Sequence, residues 1–194
     1  MRHERSILAA ALLLTFGCSG SDSEPAKTTK PPALPALAGL PDENPDPAVL
    51  EVSMRAMTAE KQYTGSKLTE VWSYEGTVPG PLLEAKTGDQ LVVHFDNALP
   101  EATTVHWHGV RLPAAMDGTM LMQSGIEPGQ SFEYSFTLKD AGLFWFHPHM
   151  RSDVQVEKGL YGTILVRGLN EPKVDHETVL VLDDVRVNAD GTFP

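Results

Sequence analysis

The 194-residue chain reads as all-β, a Greek-key β-sandwich or barrel of about 120 residues over 48–168. Three observations carry that reading. Short apolar stretches alternate with polar residues at period two, turn-forming clusters separate them, and no window of a dozen residues shows a 3.6-residue apolar stripe. Sixteen Gly and 15 Pro favour many short strands over long helices, and a 41% hydrophobic content suits a packed core rather than disorder.

The first element is Leu50-Glu51-Val52-Ser53-Met54-Arg55-Ala56, whose strict alternation predicts a half-buried strand. Further strands are predicted at 68–74, 90–96, 103–108, 131–138, 143–147 and 161–166. Val78-Pro79-Gly80-Pro81, Thr87-Gly88-Asp89, Glu127-Pro128-Gly129 and Lys139-Asp140-Ala141-Gly142 supply the turns between them. There is no internal repeat. Beyond Gly168 a linker leads to Thr178–Leu182 and Asp183–Val187, two further short strands, and a turn at Asn188–Gly191. A strand and turn with no returning partner cannot stand alone. Residues 169–194 are therefore expected to be a linker and the first strands of a second domain that continues past Pro194.

The charge balance, 15 Lys+Arg against 26 Asp+Glu, argues against a nucleic-acid surface, since phosphate binding rests on clustered cations. The one cysteine, Cys18, excludes an intramolecular disulfide, a multi-cysteine metal cluster and a Cys–His pair in the folded body. A basic start, Met1–Arg5, precedes an apolar run from Ile7 to Gly17, too short for the roughly 20 residues of a spanning helix. That run ends in Leu14-Thr15-Phe16-Gly17-Cys18-Ser19-Gly20, which resembles a bacterial lipoprotein signal. The resemblance implies that 1–17 is a signal peptide, that Cys18 is lipidated, and that the protein is exported to the bacterial periplasm or cell envelope. Seven prolines fall within 18–47, a composition that cannot bury enough apolar area to order itself, so this stretch is predicted to be a tether.

The chemistry sits in the histidines. Four of the seven form two identical spacings, His106-Trp107-His108 and His147-Pro148-His149. Side chains at i and i+2 of a strand share a face, about 6.5–7 Å apart along the chain. That separation suits two imidazoles reaching adjacent metals better than one shared ion. One His-x-His pair is as well explained by a solvent-facing strand. Two pairs, with His147 following His108 by 39 positions and both ending aromatic-rich apolar strands, indicate a metal site. With no thiolate or carboxylate in either motif, copper or zinc leads.

Thr104-Val105-His106-Trp107-His108-Gly109 and Gly142-Leu143-Phe144-Trp145-Phe146-His147-Pro148-His149 resemble the first two copper motifs of multicopper oxidases of the laccase type. Gly76–Pro81, Lys86–Asp89 and Val156–Gly162 resemble the segments around those motifs, so the likeness covers about 48–190. It implies a cupredoxin-like fold for 48–168 and for the second domain. It also implies that His106 binds a type 2 copper, that His108 and His147 share one type 3 copper, and that His149 binds the other. Asp117, nine positions past His108, stands where the family carries an acidic residue that passes protons to reduced oxygen; on its own it reads equally as a turn residue before Gly118.

The resemblance implies an enzyme that takes single electrons from a phenolic or metal-ion donor and reduces O2 to water. The family uses eight histidines for its trinuclear centre and a His-Cys-His motif for its type 1 copper; this chain offers four histidines in such motifs and no cysteine beyond Cys18. It is therefore expected to be inactive alone and to need further C-terminal domains. A copper-resistance or cuprous-ion role is the alternative, supported by Met116, Met120 and Met122 in one loop, although Met more often fills gaps. A non-catalytic relative of the same fold is a third reading, disfavoured by the intact histidine pairs. His94 alternates with Val93 and Phe95 and is predicted to face solvent; His176 falls in the linker without an evident partner.

Overall fold

Alternating apolar and polar positions build two facing sheets from eight strands in the computed structural model, which describes residues 36–194. The predicted signal peptide, Cys18 and most of the tether lie outside the described residues. In chain order the strands are β1 Val49–Lys61, β2 Thr69–Tyr74, β3 Leu82–Lys86, β4 Gln90–Ala98, β5 His106–His108, β6 Ser131–Thr137, β7 Gly142–His147 and β8 Gly162–Arg167. A 3₁₀ turn at Ala114–Met116 and a one-turn helix α1, Ser152–Gln155, interrupt the loops. Among the described residues no helix is long and apolar enough to cross a membrane.

The first sheet has the order β2-β1-β4-β6 and the second β3-β8-β7-β5. Each contains one parallel pair, β1 with β4 and β3 with β8; the other pairs are antiparallel. The period-two pattern sets the burial directly: Leu50, Val52, Met54 and Ala56 of β1 and Leu91, Val93 and Phe95 of β4 point inward and are buried. The second sheet answers with Leu83, Phe146, Ile164 and Val166. Between them Trp107 packs edge-on against Tyr134 and Phe136, with ring centroids 5.4 Å apart in each case.

The structure differs from the sequence expectations in four places. β3 lies outside the predicted strands because only four residues, Leu83–Lys86, alternate; it forms by pairing in parallel with β8. Of 103–108 only His106–His108 joins a ladder, while Thr103 makes an isolated bridge to Ile126. The strands predicted at 178–187 do not form, since no neighbouring strand offers ladder hydrogen bonds there. Part of that segment instead packs sideways: Leu180–Asp183 and Leu143, Trp145, Tyr161 and Thr163 line a cavity of about 500 Å³. The end of the predicted tether is also held. Leu82 N–H donates to the Ala38 carbonyl at 2.9 Å, and Leu40 packs against the core.

Candidate metal centre

The pairing of β5 with β7 brings the two histidine motifs together. His106 lies opposite His147, His108 opposite Trp145, and Trp107 opposite Phe146. Directly paired residues share a face, so the imidazoles take the outer face of the second sheet while Trp107 and Phe146, both fully buried, take the core face. Each motif thus anchors itself: the aromatic residue that fills the core fixes the direction of its neighbouring histidine.

His106, His147 and His149 each present a ring nitrogen, and these three atoms lie within 4.8 Å of one another. His108 joins them at the side, its Nδ1 3.2 Å from His147 Nε2. For the second pair the geometry departs from simple strand spacing. β7 ends at His147, Pro148 breaks the ladder, and His149 is free to turn toward the same point as His147. The His149 N–H donates to Thr104 Oγ1 at 3.2 Å, which fixes that turn.

Second partners set which nitrogen is available. His106 Nδ1 lies 2.8 Å from the Asp117 backbone carbonyl, and His147 Nδ1 lies 3.0 Å from the Pro148 carbonyl. A carbonyl oxygen only accepts, so both Nδ1 atoms carry the proton and both Nε2 lone pairs remain for a metal. Burial, reinforced by the three other imidazoles, pushes His147 down to about 4, and the His149 value is lowered mainly by burial. At about 4, His147 is neutral across the physiological range and so keeps a lone pair free for a metal. Trp145 stacks on His147 at 4.0 Å and on His108 at 5.0 Å, closing the site on one side.

Asp117 is beside the cluster, but its backbone carbonyl makes the close contact; Oδ1 stands 3.5 Å from His106 Nδ1. Gly118 explains the approach, with φ +73° and a position where any Cβ would sit 2.1 Å from the Val105 carbonyl oxygen. Sequence reasoning misses Gly118 and Trp145 as site residues; the Asp-Gly dipeptide and the Trp of the second motif are the available signals. The Met loop divides: Met116 turns inward, accepting from Ser135 N–H, while Met120 and Met122 are exposed. His94 lies across the molecule on the first sheet, half exposed, with Nε2 2.7 Å from Glu51 Oε1.

The donor set fits copper. Imidazole nitrogens each about 2.0 Å from one ion are spaced about 3 Å apart, which the His108–His147 separation of 3.2 Å allows. An eight-stranded β-sandwich with a histidine cluster able to hold a metal on one outer sheet face is thus the class that fold and site define. Residues 56–171 match the family model described as multicopper oxidase, and the chain belongs to that family. Among curated relatives, "Multicopper oxidase MmcO" of Mycobacterium tuberculosis is 40% identical over 121 residues, covering 62% of this chain and 24% of that protein. "Copper resistance protein A" of Escherichia coli is 35% identical over 156 residues, covering 78% of this chain and 24% of that protein. A solved multi-copper oxidase from Pseudomonas thermotolerans superposes with a TM-score of 0.73 at 37% identity, over 75% of this chain and 36% of that one. The chain spans about a quarter of the length of these curated relatives.

Proposed function

We propose that the chain supplies half of the ligands of a trinuclear copper centre in an exported oxidase. That oxidase takes single electrons from a phenolic or metal-ion donor. The observation that supports this most is the convergence of His106, His147 and His149 within 4.8 Å, with His108 against His147. His106 would hold the type 2 copper, His108 and His147 one type 3 copper, and His149 the other. Bound copper would supply the one-electron steps that reduce O2 to water. The chain's own residues orient and protect. The Asp117 and Pro148 carbonyls hold the Nδ1 protons, Trp145 shields one flank, and the Asp117 carboxylate would deliver protons beside His106. Further cupredoxin domains beyond residue 194 would donate the remaining ligands and a type 1 copper, and residues 169–194 would lead into them.

A second reading has its own support. The exposed thioethers of Met120 and Met122, beside the Asp117 loop, suit cuprous ion, and one relative bears the name of a copper-resistance protein. Both readings share the histidine centre. In the intact protein, His106→Ala, His108→Ala, His147→Ala and His149→Ala should each abolish oxygen uptake and lower copper content, because the ligands serve one shared site. His94→Ala should alter neither. Normal copper content and oxygen uptake in His147→Ala would remove the second pair from the site. Loss of cuprous-ion oxidation but not phenol oxidation in Met120→Leu/Met122→Leu would favour the copper-resistance role.

A further inference from the structure

We infer that Gln155 is a positioning residue of the metal centre, holding the loop that carries His149 against the segment that runs into His106. The inference rests on the copper reading above and extends it to a residue outside both histidine motifs.

His149 is the one histidine of the four that no ladder holds. β7 ends at His147, and Pro148 offers no backbone donor. Past His149 the chain passes through a left-handed residue, Arg151 at φ +42°, and enters α1. The last residue of α1 is Gln155, fully buried although its side chain is a primary amide. A buried amide of that kind must be satisfied on both sides. Both of its polar ends turn to one place. Thr103 Oγ1 donates to Gln155 Oε1 at 2.7 Å, and Gln155 Nε2 donates to the Ala102 carbonyl at 2.9 Å.

Ala102 and Thr103 lead straight into His106. The adjacent Thr104, also fully buried, accepts the His149 N–H. Gln155 and Thr104 therefore form two buried clamps between the same two segments, one at each end of the His149 loop. A third link, the Arg151 guanidinium to both Glu101 carboxylate oxygens at 2.7 and 2.8 Å, is exposed and so contributes little by comparison. Without the amide, α1 keeps its backbone turn but loses its registry with 102–104. The donor atoms of His149 and His106 then lose their fixed separation. The apolar core does not depend on this link, since its sheets are tied by their own ladders.

The test separates positioning from stability. Gln155→Met keeps the length and volume of the side chain and removes both hydrogen-bonding ends; Thr103→Val removes one bond and carries the test if the first variant fails to fold. Met54→Ala, in the core of the first sheet, is the control for general destabilisation. Cu(II) affinity of the chain is measured by competition with a chelator, beside melting temperature and the cupric EPR spectrum. Gln155→Met and Thr103→Val should weaken Cu(II) by about 10–100-fold and shift the EPR parameters, the range seen when an outer partner of a metal ligand is lost. The double variant should be no weaker than Gln155→Met, and Met54→Ala should lower the melting temperature at unchanged affinity. Wild-type affinity and spectrum in Gln155→Met would overturn the inference alone, as would an equal loss in Met54→Ala. A wild-type chain that takes up no Cu(II), together with unaltered copper content of the intact protein in His106→Ala and His147→Ala, would overturn the copper reading itself.

Discussion

Two histidines in this chain are tuned in opposite directions, and the cause is local in each. His147 sits among three other imidazoles in a buried position, where desolvation first and like-charge neighbours second hold it down to about 4. His94 lies half exposed between Glu51 and Glu133, and the Glu51 hydrogen bond first of all raises its value. The consequences for folding have opposite signs. Unfolded His147 takes up a proton near 6.5, which the folded site refuses until about 4, so stability should fall as pH drops through that window. His94 contributes stability that is complete below 6.5 and is lost as pH rises through its elevated folded value. Denaturant melts of the metal-free chain from about pH 4 to 9 should show the acid loss diminished in His147→Gln and the alkaline loss diminished in His94→Gln. The second change should be small, because Glu133 and His94 are both well exposed and solvent screens them. An acid limb unchanged in His147→Gln would mean that its imidazole is not desolvated as the structure has it.

The loop element between β5 and β6 shows how a turn is pressed against a strand to hold one imidazole, that of His106. Met116 anchors it inward, Asp117 closes the 3₁₀ turn, and Gly118 passes under the Val105 carbonyl with φ +73°. Only glycine can do so. Gly118→Ala meets a backbone atom at 2.1 Å and a left-handed conformation, so a cost of about 1–3 kcal/mol for the conformation alone is expected, with the clash added. The loop should then lift, withdrawing the Asp117 carbonyl from His106 Nδ1. Gly118→Ala should lower both the melting temperature and the copper affinity, whereas Gly129→Ala, whose Cβ would meet nothing, should cost only the conformational part. Equal copper affinity in the two variants would detach the loop from the site. The same loop explains why parts of the site are not legible in the sequence. The histidine pairs announce themselves by spacing, and the strands that carry them by alternation. A backbone carbonyl has no residue signature, and the contact of Gln155 with Thr103 crosses 52 positions. β3 escapes notice for a related reason: its partner β8 lies about 80 positions away, and parallel pairing leaves no turn signal between the two. The segment 178–187 shows the converse case, where no ladder forms among the described residues, since alternation states which face is apolar but not whether a neighbouring strand is present.

At the scale of the whole molecule, one atom distinguishes an address from a ligand. Cys18 is the chain's only thiol. It comes after an apolar run and before a Pro-rich stretch, whereas the candidate metal site among the described residues is a cluster of imidazoles. If the cysteine is the site of a lipid anchor, its sulfur is consumed by a thioether and stays outside the metal chemistry. If instead it is a free thiol, it competes for copper, because thiolate binds cuprous and cupric ions strongly. A single substitution distinguishes the two. In a bacterium supplied with radioactive fatty acid, the wild-type protein should carry label and sediment with membranes, while Cys18→Ser should carry none and emerge in the soluble fraction. Copper bound by the histidines should be the same in both, and neither should show the intense visible band of a copper–thiolate bond within residues 18–194. Equal labelling of Cys18→Ser would remove the anchor. Loss of copper on that substitution would mean that the Cys18 thiol, and not the histidines His106, His108, His147 and His149 alone, takes part in copper binding.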